Sequence, residues 1–212
     1  MILSNTKIKE LIYEKKIFVG YDSDQPIPVK ELDFDTTSLN LHLADEFTIW
    51  KEFGQGTRIS VDPGAEGFDF QKHGSDFTKI AHADRDGCYE VRRNEFLLCV
   101  SKELIKIPLQ YAARVEGRSS LGRVGLGVHV TAPTIHAGFE GRITLEIYNH
   151  SKIPVILRPN MKIAQLIFET VDGMPTIDNP RSFYGQINPI GEGSCEKAPS
   201  LLVANGSRGK IE

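Results

Sequence analysis

Between Ala112 and Phe168 the chain alternates, and that alternation limits its fold more than any other feature. Ile143, Leu145 and Ile147 interleave with Arg142, Thr144, Glu146 and Tyr148, and Val124, Leu126, Val128 and Val130 interleave with Gly125, Gly127, His129 and Thr131. A period of two places each set on its own face of a pleated strand, which no helix can do. Pro154 to Leu157 and Ile163 to Phe168 add two more runs. Upstream, TTSLNLHLADEFTIW (36–50) sets Ser38, Asn40 and His42 against Leu39, Leu41 and Leu43. Short strands at close spacing, with Gly and Pro between them and no βαβ rhythm, predict an all-β sandwich or barrel.

The rest of the chain is read around that block. Residues 4–16 form a short amphipathic helix, with Ser4 as N-cap, Leu3 stapled to Ile8, and Ile8, Leu11 and Ile12 at helical spacing. Residues 17–35 read as a loop, and residues 51–87, rich in Gly, Asp and Phe, as long loops with short strands. Residues 88–108 give a strand, a turn at Arg93-Asn94 and a second strand from Phe96 to Val100, with Lys102 to Ile107 leading out. His42, on the polar side of its strand, reads as a solvated histidine. The segment after Phe168 is turn-rich, and beyond about Gly191 it has low intrinsic order. Tyr184 to Gln186 could close over a ligand as a lid.

Composition excludes several partners. The net charge of -3 advertises neither nucleic acid nor an anionic membrane, although a local arginine cluster can still bind a polyanionic small molecule. Three cysteines, Cys88, Cys99 and Cys195, without a CxxC pair, argue against a disulfide framework and a zinc knuckle. The N-terminus lacks a signal-peptide pattern, and no window holds enough apolar residues to span a membrane. The expectation is a reduced, cytoplasmic protein.

The motifs narrow the chemistry. Zinc deaminases carry H-x-E followed by P-C-x-x-C; His82-Ala83-Asp84 approaches the first half, and no cysteine pair follows. There is no G-x-S-x-G elbow and no P-loop. Catalysis must then use organic side chains. The turn Gly117 to Arg123 gathers two guanidiniums, two hydroxyls and backbone amides, which suits a phosphate nest and equally suits a solvated turn. Glu146 lies opposite Ile143, Leu145 and Ile147. A solvated strand face is the commoner fate of such a residue. On the floor of a pocket, where desolvation favours the neutral form, a carboxylate could both take and give a proton.

The run G-R-S-S-L-G-R-V-G-L, continued by H-V-T-A and I-H-A-G-F-E-G-R-I-T-L-E-I-Y-N, closely resembles the dCTP deaminases, which share a superfamily with the trimeric dUTPases. S-L-N-L-H-L-A-D-E-F, R-P-N-M-K-I-A-Q-L-I-F-E and Gly185-Gln186 extend the likeness to about residues 1–190, leaving 191–212 as a tail. The resemblance implies a mainly β, distorted antiparallel β-barrel or jelly-roll-like subunit of the dUTPase type with a short N-terminal helix. It implies a homotrimer with active sites between subunits, Mg²⁺ arriving with the triphosphate, and zinc-independent deamination of dCTP to dUTP and ammonia, with dTTP as a feedback inhibitor.

By the same resemblance Glu146 is the residue that takes a proton from the attacking water and returns protons to N3 and the departing amine. Ser119 and the carbonyl of Ala132 hold that water. Arg123 supports the base and the developing tetrahedral centre. Arg118 and Ser120 contact phosphate, with Leu121, Gly122 and Thr131 as further substrate contacts, and Thr144 and Leu145 line sugar and base through their backbone. Gln186 reaches the triphosphate when the tail closes.

Three positions depart from the pattern. His136 stands where much of the family has an aspartate that contacts the deoxyribose and, in dUTPases and bifunctional members, activates water against the α-phosphate. This departure argues for a product that stops at dUTP, with a dUMP-forming enzyme or a dUTPase as the alternative. Ser182, beside Arg181, replaces a lysine, and Thr134 replaces an arginine that some members lend to a neighbouring subunit. A non-catalytic nucleotide-binding relative is a third reading, against which Glu146, Ser119 and Arg123 argue together.

Overall fold

A computed structural model describes residues 1–54, 60–84 and 86–176. Helix α1 (Asn5–Tyr13) begins at Ser4, whose Oγ accepts from Lys7 N, and it buries Ile8, Leu11 and Ile12, the face its spacing predicts. Strands β1 (Phe18–Asp22) and β2 (Gln25–Pro26) follow, then a single 3-10 turn at Val29–Glu31. Next come β3 (Leu39–Trp50), helix α2 (Phe70–Phe77), β4 (Thr78–His82), β5 (Tyr89–Val91), β6 (Phe96–Lys106) and β7 (Tyr111–Gly117). Turn α3 (Ser119–Gly122) leads into β8 (Leu126–Gly127) and β9 (Thr134–Ile135), and β10 (Glu140–Asn149), β11 (Val155–Leu157) and β12 (Lys162–Thr170) complete the order. Every strand pairing among the described residues is antiparallel.

One large sheet runs in the order β2-β1-β6-β3-β12-β7-β9, with β10 on β6, β8 on β10 and β4 on β3; β11 and β5 form a separate ribbon. Strand β6 explains why the sheet curls. It gives one edge to β10 over most of its length and divides the other, β3 taking its first half and β1 its last three residues. Splitting an edge between two partners bends a sheet toward a half-barrel instead of leaving it flat. The hydrophobic core includes Leu39, Leu41, Leu43, Phe47, Leu97, Ile105, Ile143, Leu145, Leu166 and Phe168. The fold is the mainly β, barrel-like subunit with a short N-terminal helix that the sequence predicts.

Four local expectations change. Residues 17–35 are not a loop, because Phe18, Val19 and Gly20 pair with Lys106, Ile105 and Leu104. That pairing also extends the second strand of 88–108 through Lys106. Residues 51–87 contain a helix: Asp69 Oδ1 caps Gln71 N at 2.9 Å, and Phe70 and Phe77 pack on each other across α2. The run from Val124 to Val130 is strand only at Leu126–Gly127. His42 is half-buried and partnered rather than simply solvated; its Nδ1 lies 2.7 Å from Oε1 of the buried Glu103, whose Oε2 accepts from His42 N at 2.9 Å. The turn at Arg93-Asn94 is present, with Asn94 left-handed at φ 58°. No described helix is long and apolar enough to cross a membrane.

Candidate active site

Strand β10 presents Glu140, Arg142, Thr144, Glu146 and Tyr148 on one half-buried face and buries Gly141, Ile143, Leu145, Ile147 and Asn149 on the other. Its pairing with β6, Glu146 opposite Leu98, sets the height of Glu146 on the sheet. The carboxylate is held on one side only. Its Oε2 accepts from Val130 N at 2.7 Å and Thr131 N at 2.8 Å, whereas Oε1 has only the Thr131 hydroxyl, at 3.5 Å. Two main-chain donors thus orient the group, and its second oxygen, with one long hydroxyl contact among the described residues, keeps capacity to take a proton.

The donors come from the segment that joins two sheet edges. Gly127 in β8 pairs with Tyr148, and Ile135 in β9 pairs with Ala113 in β7. Val128 and Ile135 are buried anchors at the two ends, and residues 129–134 between them pass over β10. Ala132 is exposed immediately after Thr131, so its carbonyl lies on the chain that clamps Glu146. His136 is exposed just beyond β9. Thr144 Oγ1, on the Glu146 face, is buried and has no hydrogen-bond partner among the described residues, whereas the Leu145 side chain belongs to the core and offers only backbone.

The Gly117–Arg123 turn follows β7 and leads into β8, whose Gly127 pairs with Tyr148 on β10. Turn α3 runs directly into β8, and Gly117 lies so close to Val128 that a Cβ there would come within 3.2 Å of Cγ2. Gly125, at φ 82°, backs onto Ser151, and a side chain there would strike its main chain. Ser119, Ser120, Gly122 and Arg123 are exposed and Leu121 is half-buried. Of the two readings of this turn, an amide nest is narrowed: the amides of Leu121, Gly122, Arg123, Val124 and Gly125 all bond inside the turn. What remains for an anion is the hydroxyls, the guanidiniums and the amides ahead of Leu121. Gln186, Ser182, Arg181, the closing segment and the tail lie outside the described residues.

Sequence reasoning missed the surroundings of Arg118. Its guanidinium bonds Asn40 Oδ1 and stands 3.9 Å from Asp35 Oδ2. Gln165 Nε2 donates to Asp35 Oδ2 at 2.6 Å and to Ser38 Oγ at 3.2 Å. Both Asn40 and Gln165 sit in stretches that carry the resemblance, but their own signal is weak: polar residues on a strand face read as solvated, and Asn40 is in fact 2% exposed.

Next to Asn40, Lys162 pairs with Asp33 and holds that carboxyl below its ordinary 3.8 against the cost of burial, helped by the Asn40 side chain. A lowered folded value stabilises the protein above the ordinary carboxylate range, and that contribution fades as pH falls through the folded value. Lys162→Met is therefore expected to lower stability at neutral pH by no more than about 1 kcal/mol, the pair being partly exposed. It should also flatten the stability profile below pH 3.8, as read from urea titrations across that range.

Among the described residues no group of three or more His, Cys, Asp or Glu is arranged to hold a metal ion. A family model described as dCTP deaminase-like matches residues 2–171. A Methanobrevibacter smithii protein named "dCTP deaminase, dUMP-forming" is 37% identical over 171 residues, 80% of each chain. A Rhodospirillum rubrum protein named "dCTP deaminase" is 31% identical over 198 residues, 90% of this chain and 95% of that one. The crystal structure of the 2'-deoxycytidine 5'-triphosphate deaminase from Agrobacterium tumefaciens superposes with a TM-score of 0.58 at 20% identity, over 80% of this chain and 48% of that one. That last match is a likeness of fold.

Proposed function

Because the chain belongs to the dCTP deaminase-like family, we propose that it hydrolyses dCTP to ammonia and dUMP, with release of diphosphate. One observation carries the deamination: Glu146 is fixed through Oε2 by the amides of Val130 and Thr131, whereas Oε1 meets only the Thr131 hydroxyl, at 3.5 Å, among the described residues. Water attacks C4 of cytosine as Glu146 takes one of its protons, the new C–O bond forms, and N3 is protonated. The tetrahedral centre collapses with cleavage of the C4–N4 bond, the nitrogen leaves with a further proton as ammonia, and C4 becomes a carbonyl. Ser119 and the Ala132 carbonyl hold the water, and Arg123 faces the developing charge.

Arg118 and Ser120 meet the triphosphate, and Gln186 joins them. These are cationic and hydroxyl donors suited to phosphate oxygens. Mg²⁺ fits the site as a partner of the phosphates, which would hold it and whose charge it would offset. The exposed apolar side chains of Val124 and Val130, beside the turn and the clamp, suit a neighbouring subunit, in keeping with a homotrimer. We place dTTP, a triphosphate of the same length, in the same pocket as inhibitor.

The sequence puts dUTP first as product; the name of the M. smithii relative reverses that order. The second hydrolysis needs a base for water attacking the α-phosphorus, and we assign that role to His136, exposed just beyond β9. The second reading stops at dUTP and is favoured by the same residue, a histidine where the resemblance implies aspartate. Incubation with dCTP and Mg²⁺ separates them. Ammonia and diphosphate in equal amounts are expected. Ammonia with accumulating dUTP would establish the second reading, and neither product would refute both.

A further inference from the structure

Asn40, which lies outside the Glu146 and Gly117–Arg123 segments, is built to hold Arg118. Strands β3, β12 and β7 bring Asn40, Gln165 and Glu116 into one cross-strand row, and Arg118 follows two residues after Glu116 on the same face. An amide has an acceptor end and a donor end. In Asn40 the acceptor, Oδ1, takes a guanidinium hydrogen from Arg118, which fixes which end of the amide faces the guanidinium. The nearer carboxylate to Arg118 is Asp35, but it stands 3.9 Å away and its Oδ2 is taken by Gln165.

We propose that Asn40 is a positioning residue for Arg118: it fixes the guanidinium with a neutral acceptor, so that its direction is set while its full charge stays available to an anionic ligand. An aspartate in its place would do the opposite. It would neutralise Arg118 in a tight ion pair and set a second carboxylate against Asp33. The side chain of Arg118 is 23% exposed, with Nη1 committed to Asn40. The proposal rests on the reading of Arg118 as a phosphate ligand.

A double-mutant cycle tests it, with dCTP turnover and calorimetric binding of inorganic tripolyphosphate as separate readouts. Asn40→Asp is expected to raise KM for dCTP and weaken tripolyphosphate about tenfold, with kcat changed less than about threefold, because the loss lies in ground-state binding. In an Arg118→Ala background the same change should cost less than about twofold, the mark of a residue acting through Arg118. Equal losses in both backgrounds, or no loss in either, would overturn the proposal. If Asn40→Asp does not fold, Asn40→Ser removes the acceptor and is read in the same way. A wild type that binds tripolyphosphate, loses that binding with Asn40→Asp, and yet releases no ammonia would remove the deaminase reading and keep the positioning role. A wild type that binds neither dCTP nor tripolyphosphate overturns both.

Discussion

Glu146→Gln is expected to lower ammonia release from dCTP by about 10³-fold or more, the upper range for removing a general base. The substitution is unusually clean here. Oε2 accepts two amide hydrogens, from Val130 and Thr131, and a glutamine can present its carbonyl oxygen to both. The clamp, the strand and the nucleotide pocket therefore survive. What changes is the free side: an NH₂ group replaces an oxygen that could take a proton from water. Binding of dCTP should stay within about threefold of wild type, since the loss falls on the transition state. Ammonia detection and calorimetry together check the two halves. Retained turnover would remove Glu146 from its role, and lost binding would make it a structural residue.

The second large effect concerns stability. Asn149 closes β10, is fully buried, and spends its whole side chain on the corner that follows. Nδ2 donates to the carbonyls of Val91 and Ile153 at 3.0 and 2.9 Å, and Oδ1 accepts from Ser151 N and Oγ at 2.9 and 2.7 Å. Asn149→Leu keeps the volume and strands those partners away from water. Each buried group left without a partner costs about 1–3 kcal/mol, so a loss on the order of 3–5 kcal/mol is expected. For a chain of this size that is a fall in Tm of roughly 10 °C. Asn149→Asp should also destabilise, because a carboxylate cannot donate to two carbonyls. Urea denaturation at neutral pH measures both, and a change under about 1 kcal/mol would show that the corner finds other partners.

The parts of the fold that could be read in advance are those whose signal is local. Ser4, Ile8, Leu11 and Ile12 announce α1 through a cap and a helical spacing, and Ile143, Leu145 and Ile147 announce the buried face of β10. Strand β1 was hidden because its partner residues in β6 are far away in sequence, and nothing local distinguishes Phe18–Gly20 from a loop. Helix α2 was hidden by its glycine and its brevity. The run 124–130 misled by alternating correctly; Gly125 turns left-handed, and the chain leaves the sheet after Gly127 to carry its amides over Glu146.

The candidate site divides in the same way. The face that carries Glu146 was legible from alternation. The clamp was not, because main-chain donors have no side-chain signature. His42 read as solvated because strand alternation cannot show that Glu103, a buried carboxylate on β6, would meet it. Asn40 and Gln165 stayed unassigned because their value lies in meeting Arg118 and Asp35 across strands, which pairing alone creates.

Turnover in water labelled with oxygen-18, read by mass spectrometry of the nucleotide product, directly tests the proposed attack of Glu146-activated water on C4 of the cytosine in dCTP. One labelled oxygen is expected in the uracil ring of the product, lost together with ammonia release in Glu146→Gln. Unlabelled base, or a cytosine that leaves the enzyme with its amine intact, would contradict it.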